Sequence, residues 1–205
     1  MKRVTATLVT DGSSDRLLKP LIELLFDEHT ERPYQVNCAE GLPPLADGLK
    51  SRIESALELF PCDFLFVHRD NEGVGLSVRQ REIEKSWPIN QQTTALICVI
   101  PVRMTEAWLI TNEKPIKLAV SNPNGTEVLD LPAARDIESL PNPKAILFAA
   151  LKTATGWNAR HKARFDAHQF RHRVSELTDD LAPLRMFASF KHLEAQVKQH
   201  IELLK

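Results

Sequence analysis

Short apolar runs alternate with helix-like segments along the first half of the chain. Runs rich in β-branched residues predict strands, and apolar residues that recur every three or four positions predict helices. The predicted strands are Val4–Thr10, Tyr34–Cys38, Phe64–Val67 and Thr93–Val102. The predicted helices run from Leu17 to about His29, over Leu45–Phe60 and over Ser77–Trp87. This alternation predicts an α/β fold with a doubly wound, mostly parallel sheet, because right-handed crossovers place helices on both of its faces.

The second half of the chain follows a different pattern. Proline, asparagine and aspartate interrupt Ser121–Pro143, and only helical spacing remains from Pro143 to Lys205. A chain of 205 residues is long enough for one well-buried core with a small appended subdomain. We therefore expect an α/β core over residues 1–112, followed over residues 113–205 by a loop-rich connection and a helical C-terminal portion packed on that core.

The composition narrows the classes of function. A net charge of -1 gives no general attraction to nucleic acid or membrane, so any attraction to phosphate must be local. The longest apolar stretches are far shorter than the roughly 20 residues of a membrane span, and the N-terminus lacks the features of a signal peptide. Cys38, Cys62 and Cys98 are odd in number and widely spaced, which predicts buried thiols. We expect a cytoplasmic protein without membrane attachment.

Acidic residues follow two of the predicted strands. The first strand runs into DGSSD at residues 11–15, and the third runs into HRDNEG at residues 68–73. An open α/β sheet binds metal and phosphate at the carboxyl ends of its strands. If the two strands are neighbours, Asp11, His68 and Asp70 converge on one place.

These two motifs resemble the acid motifs of the Toprim domain, which occurs in topoisomerases, primases and nucleases of the overcoming-lysogenization-defect type. Asp11-Gly12 is similar to the Glu-Gly pair of the first motif, and HRDNEG is similar to the D-x-D-x-x-G of the second. Glu106, in the segment PVRMTEAW, resembles the acid that follows the next strand in these families. The resemblance covers roughly residues 1–112. It implies a Toprim-type fold and a metal-dependent nuclease that acts on DNA or RNA.

The resemblance also implies roles for individual residues. Asp11, Asp70 and Glu106 would be catalytic, and Asp11 would take the general acid/base role of the first-motif acid. The metal ligands would be Asp11, His68, Asp70 and Glu72, and the ion Mg²⁺ or Mn²⁺. His68 replaces the first aspartate of the second motif, and Asp11 is one methylene shorter than the usual glutamate. Since Mg²⁺ prefers oxygen ligands in tight geometry, we expect a site that prefers manganese or is inactive.

Two regions are predicted to bind phosphate. The turn after the first strand would aim backbone N–H groups of Gly12 and Ser13 at an anion, as helix N-termini do. Residues 160–173 carry five lysines and arginines and three histidines, with Phe165 and Phe170 between them as stacking partners for bases. In the alternative interpretation, the two phenylalanines anchor a helix in the core. The predicted phosphate-binding residues are Gly12, Ser13, Arg69, Arg160, Lys162, Arg164, Arg171 and Arg173.

Three functions are compatible with the sequence. The first is a Toprim-type nuclease, the effector of a bacterial defence or repair system with a partner ATPase, as the resemblance implies. The second is a catalytically degenerate Toprim-like module that binds a protein partner or nucleic acid. The third, a phosphatase or phosphotransferase with Asp11 as nucleophile, would require D-x-D-x-[TV] after the first strand, which DGSSD does not supply. Trp87 and Trp157 are predicted only to pack, and the oligomeric state stays open, a homodimer included.

Overall fold

The computed structural model describes residues 2–91 and 93–204, without the side chains of Ser13 and Ser14. The strands in these residues are β1 (Val4–Val9), β2 (Tyr34–Cys38), β3 (Phe64–His68) and β4 (Ala95–Val99). The α-helices are α1 (Leu18–His29), α2 (Leu49–Leu59), α3 (Leu76–Ser86), α4 (Glu113–Ala119), α5 (Pro143–Ala154), α6 (Ala159–Lys162), α7 (Arg171–Glu176) and α8 (Ala188–Leu203). The strands form one parallel sheet in the order β2-β1-β3-β4, which confirms the predicted α/β class. None of the described helices has the length and apolar character needed to cross a bilayer.

The side chains of the strands point alternately to two hydrophobic cores within the described residues. Phe64 and Phe66 of β3 face the larger core, where α1, α8 and other C-terminal helices pack. Leu65 and Val67 face the smaller core, where α2 and α3 pack. Because helices cover both faces, the first four residues of β3 are all apolar, without alternating polar positions. The sheet is therefore doubly wound, as predicted.

The C-terminal portion of the chain shares the larger core with the first half. Leu193, Val197 and Ile201 of α8 are buried in the same cluster as residues of β1 and α1. β4 is an edge strand, and Gln196 of α8 accepts a hydrogen bond from the Cys98 N–H at 2.9 Å and donates one to its carbonyl at 3.1 Å. A helix that covers a sheet edge in this way satisfies backbone groups that are otherwise open to pairing with another chain.

The strand order creates a topological switch between β1 and β3. From β1 the chain moves outward to β2 and then returns past β1 to β3 on its other side. Doubly wound sheets bind ligands in the crevice outside the carboxyl ends of their strands at such a point. Val9 pairs with Val67 in the sheet register, so the segments that follow these residues leave the sheet side by side. Both acid motifs therefore lie at the switch point.

Candidate functional site

The switch-point cluster consists of Asp11, Asp15, His68 and Asp70. His68 is the last residue of β3 and is buried. Its Nε2 atom lies 3.2 Å from Oδ1 of Asp70, and its Nδ1 atom lies 3.8 Å from Oδ2 of Asp15. The charge of Asp11 also acts on the imidazole. The structure thus brings Asp11, His68 and Asp70 of the two motifs together, and adds Asp15 to them.

Hydrogen bonds within the chain hold the loop after β1. The Thr10 hydroxyl donates to the Gly12 carbonyl at 2.8 Å, and Arg52 of α2 donates to the Thr10 carbonyl at 2.7 Å. The N–H of Gly12 donates to Oδ2 of Asp15 at 3.2 Å. This N–H group, which the sequence assigns to an anion, is therefore used inside the loop. The side chain of Ser13 lies outside the described part of the chain.

The loop after β3 directs Asp70 and Glu72 to different partners. Arg79 of α3 donates to the Asp70 carbonyl at 2.9 Å and to Oε2 of Glu72 at 2.8 Å. Glu72 and Gly73 both have positive φ angles, of 49° and 85°, so the chain turns sharply here. As a result the Asp70 carboxylate faces His68, whereas Glu72, the predicted fourth metal ligand, is exposed and paired with Arg79.

The cluster carries more negative than positive charge, and its pKa values reflect this. Burial raises the pKa of Asp11; the charges of His68 and Arg69 oppose this rise, and those of Asp70 and Asp15 add to it. Burial alone would lower the pKa of His68, but the hydrogen bond with Asp70 and the charges of Asp70, Asp15 and Asp11 raise it. Such perturbation by burial and neighbouring charges in a crevice is typical of functional sites.

Arg69 lies beside the cluster, buried between Asp11 and Glu82. Its Nε atom is 3.3 Å from Oδ2 of Asp11, and its Nη1 atom is 3.3 Å from Oε1 of Glu82. Glu82 also pairs with Arg79 at 2.8 Å. The Nε of Arg69 finds no acceptor with hydrogen-bond geometry among the described residues. This guanidinium, which the sequence assigns to phosphate, is therefore held between two carboxylates.

Neighbouring residues after β4 point to different partners. The Thr105 hydroxyl lies 3.3 Å from Nε2 of His68, so it is Thr105 that contacts the cluster. Glu106, which the resemblance makes catalytic, is buried and accepts a hydrogen bond from Nη1 of Arg171 at 2.9 Å. Glu106, predicted to be catalytic, and Arg171, predicted to bind phosphate, thus form an ion pair in which their charges neutralise each other. No motif distinguishes Thr105 from any other threonine, so the sequence does not single it out.

The remaining predicted basic residues lie on the surface. Arg160, Arg164 and Arg173 are exposed, and Lys162 is partly buried. Phe165 is buried in the larger core and Phe170 packs against it, as in the alternative interpretation of this segment. The basic segment therefore divides into an exposed part and Arg171, which is buried.

A cavity of about 820 Å³ opens next to the loop after β1. Its lining combines charges of both signs. Arg16 pairs with Glu40 at 3.1 Å, and Lys19 pairs with Glu23 at 2.7 Å, all four on the lining. His172 of α7 also lines it. Because the cations of this cavity already have carboxylate partners, the cavity offers little net charge to a ligand.

A second group of titratable residues joins α1 to α8. In the described part of the chain, one set of His, Cys, Asp or Glu residues has ligand atoms that all lie within 4.8 Å of one another, namely Glu28, His29 and Glu194. The carboxylates of Asp11, Asp70 and Glu106 do not form such a set. The two clusters therefore differ in how closely their ligand atoms approach.

Cationic side chains already pair with the carboxylates of this second group. We call the group, together with Arg185 and Lys198, the interhelical cluster. Glu194 accepts from His29 at 2.9 Å and from Nε of Arg185 at 3.0 Å, and Lys198 lies 3.3 Å away. Arg185 also pairs with Glu28. Burial alone would raise the pKa of Glu194, but the hydrogen bonds from Arg185 and His29 lower it to about 2. This cluster is an ion-pair network between helices.

Comparison of the chain with protein-family models, with curated proteins and with solved structures finds no match.

Proposed function

We propose that the protein is a divalent-metal-dependent nuclease of Toprim type that hydrolyses phosphodiester bonds in DNA or RNA. The observation that carries this proposal is the excess of carboxylates at the switch point, where Asp11, Asp15 and Asp70 surround His68. The raised pKa of Asp11 is consistent with a buried carboxylate among other acids. A cation in this crevice relieves that excess, and a doubly wound sheet binds ligands at this position.

The donor set fits Mg²⁺ or Mn²⁺. Proteins usually hold Mg²⁺ through one or two carboxylates, with water and substrate phosphates as the other ligands, so a compact set of three protein ligands is not required. Asp11 and Asp70, which follow adjacent strands, would supply the carboxylates. When bound, the ion would neutralise charge on the phosphate and lower the pKa of the attacking water.

The surrounding residues then have distinct roles. His68 and Thr105 hold Asp70 in position, since the imidazole contacts both side chains. Arg69 would bring its positive charge, which lies beside Asp11, close to a substrate phosphate, with which a guanidinium forms strong charge-assisted interactions. In the other role that the resemblance implies, Asp11 would act as the general acid/base and leave the ion to Asp70 and water, and a raised pKa would then be favourable. Glu72 and Glu106 take no part in this scheme, since Arg79 and Arg171 pair with them.

The wider setting of the proposal rests on the family resemblance. It includes a partner ATPase and a role in bacterial defence or repair, whereas the proposed cytoplasmic location rests on the sequence patterns alone. A homodimer is compatible with it.

Cleavage assays test the proposal. Purified protein, alone and with its ATPase, should cut nucleic acid with Mn²⁺ or Mg²⁺, and Asp70→Ala should lower the rate by about 100-fold or more, because even residues that merely support metal ligands contribute roughly 10- to 100-fold. Asp47→Ala, which removes an exposed aspartate outside the cluster, is the matched control and should cut normally. Thermal unfolding must show that both variants are folded. Unchanged cutting by folded Asp70→Ala would refute the assignment.

The second candidate function is a Toprim-like module that binds a protein partner or nucleic acid without cutting. The position of the Arg69 guanidinium beside Asp11 favours it, because an arginine there supplies the positive charge that a metal ion would bring. This function predicts no metal-dependent rise in the melting temperature and no cutting under any metal.

A further inference from the structure

Trp157 lies on the surface, after a tight turn and against another aromatic ring. About half of the residue is exposed, although tryptophan is highly buried on average. It follows Gly156, which has φ +66°, and a Cβ atom at Gly156 would lie 2.7 Å from Oε1 of Glu127. The N–H of Trp157 donates to Oγ1 of Thr155 at 3.2 Å. A turn whose positive φ angle favours glycine therefore places this indole.

Other aromatic rings hold the indole from below. The ring of Trp157 meets Phe165 edge to face, with centroids 5.9 Å apart, and Phe165 stacks on Phe170 at 4.6 Å. Phe165 is only 8% exposed, so the indole rests on the larger core while much of its surface faces solvent. A rigid aromatic side chain loses little conformational entropy when it binds a ligand.

The segment that follows this indole is rich in basic residues. Arg160 and Arg164 are exposed, and the ring of His161 lies 6.3 Å from that of Trp157. Residues 156–165 contain no aspartate or glutamate, and the carboxylate nearest to the turn at Gly156 is that of Glu127. Asp166 comes next, but its carboxylate accepts from the N–H of His168 and caps its own turn. The surface thus combines an exposed aromatic ring with positive charge, which suits a polyanion that carries flat rings.

Neighbouring residues and one ion pair connect these aromatic rings with the switch point. Phe170 immediately precedes Arg171, which pairs with the buried Glu106. The residue before Glu106 is Thr105, which contacts His68. Ring contacts and one ion pair thus connect Trp157 with the residues beside the switch point, through Phe165, Phe170 and Arg171.

We propose that Trp157, Arg160 and Arg164 bind single-stranded nucleic acid, with an unpaired base stacked on the indole. Bases in a duplex are stacked on one another and have no free face for an indole, whereas those of a single strand do. The conclusion that single strands are also the substrate class rests on the proposed nuclease function. The binding itself does not, because no metal is needed for it.

Fluorescence anisotropy tests the binding in the presence of a chelator. The probe is a fluorescein-labelled oligodeoxythymidylate of about 15 nucleotides, with its RNA counterpart and a duplex of the same length. Trp157→Ala should weaken binding of the single strand by about 5- to 150-fold, the range for loss of one stacked base, and Trp157→Phe should restore most of it. Met186→Ala, at another exposed apolar residue, should bind as the wild type does.

The salt dependence tests the role of the cations. The slope of log K against log salt changes by about 0.7 for each phosphate contact on a single strand, so Arg160→Gln with Arg164→Gln should flatten it by about 1.4. The matched control, Arg135→Gln with Lys191→Gln, removes two exposed cations elsewhere and should leave the slope unchanged.

The outcomes separate this inference from the nuclease proposal. Trp157-dependent binding without cutting under any metal would support the binding surface and refute the nuclease. Cutting by wild-type protein with unchanged binding by Trp157→Ala would refute the binding surface and leave the nuclease standing. Absence of single-strand binding, or equally tight binding of the duplex, would overturn the inference, and a protein ligand would then be the better candidate for this surface.

Discussion

The described residues contain two groups of carboxylates around a histidine, each with one buried member, and the charges of the two groups are balanced differently. In the interhelical cluster, Glu194 is surrounded by His29, Arg185 and Lys198, and its pKa is lowered to about 2 despite its burial. In the switch-point cluster, three aspartates surround His68, and the pKa of Asp11 is raised. One group lies between helices, and the other lies on loops at the ends of strands.

The difference shows why compact geometry alone is a poor guide to a metal site. Glu28, His29 and Glu194 approach each other closely because cations between and around them cancel their repulsion. Those same cations would repel a metal ion. The ligand atoms of the aspartates at the switch point form no such compact set, and cations do not fully balance their negative charge. A divalent ion would supply the missing positive charge. We therefore assign stability to the first cluster and function to the second.

Removal of one charge from each cluster should have opposite effects on the free energy of unfolding. Glu194→Gln removes the negative charge that pairs with Arg185 and Lys198, and we expect the free energy of unfolding to fall by about 1–3 kcal/mol. This loss is smaller than for a fully buried pair because both cations are partly exposed. Asp11→Asn removes a destabilised carboxylate and should be neutral or stabilising by up to about 1 kcal/mol. Urea denaturation at neutral pH measures both.

The exposed residue Glu54, which pairs with Lys50 at 3.9 Å, supplies the control for this comparison. Glu54→Gln should leave the free energy of unfolding unchanged within error, as is usual for surface ion pairs. Equal losses in Glu194→Gln and Asp11→Asn would show that both clusters are structural.

The pH dependence of stability gives a further effect with a defined sign. The folded pKa of Glu194 is below the unfolded value of about 4.3, so its stabilisation is complete above about pH 4.3 and is lost as the pH falls toward 2. Wild-type protein should therefore lose stability more steeply than Glu194→Gln between about pH 4.5 and 2. Parallel curves for the two proteins across this window would contradict the role assigned to Glu194.

Much of the fold follows from local sequence patterns. The alternation of strands and helices is visible in the sequence, and so is the apolar character of β3, because helices cover both faces of that strand. The acids of DGSSD and HRDNEG are recognisable because each follows a strand directly. That β1 and β3 are neighbours was a condition of the sequence argument, and only the structure supplies it.

The partners of the charged residues could not be read from the sequence. Glu106 and Arg171 are 65 residues apart, and nothing near either residue indicates that they pair. Thr105 and Glu106 are adjacent, and the turn at Thr105–Leu109 decides which one faces His68. Trp157 was predicted only to pack, because exposure of an aromatic residue depends on the turn at Gly156 and on rings that lie later in the chain.

The most direct test of the account is whether Mn²⁺ stabilises the folded protein, and through which cluster. A ligand at about 100 times its Kd stabilises the folded state by about 2.7 kcal/mol, so binding is visible as a rise in the melting temperature. We expect this rise in wild-type protein and in Glu28→Gln, and its loss in Asp11→Asn with Asp70→Asn, each compared with its own metal-free sample. A rise that disappears in Glu28→Gln and persists in the double variant, or no rise in wild-type protein, would contradict the assignment of the metal to the switch point.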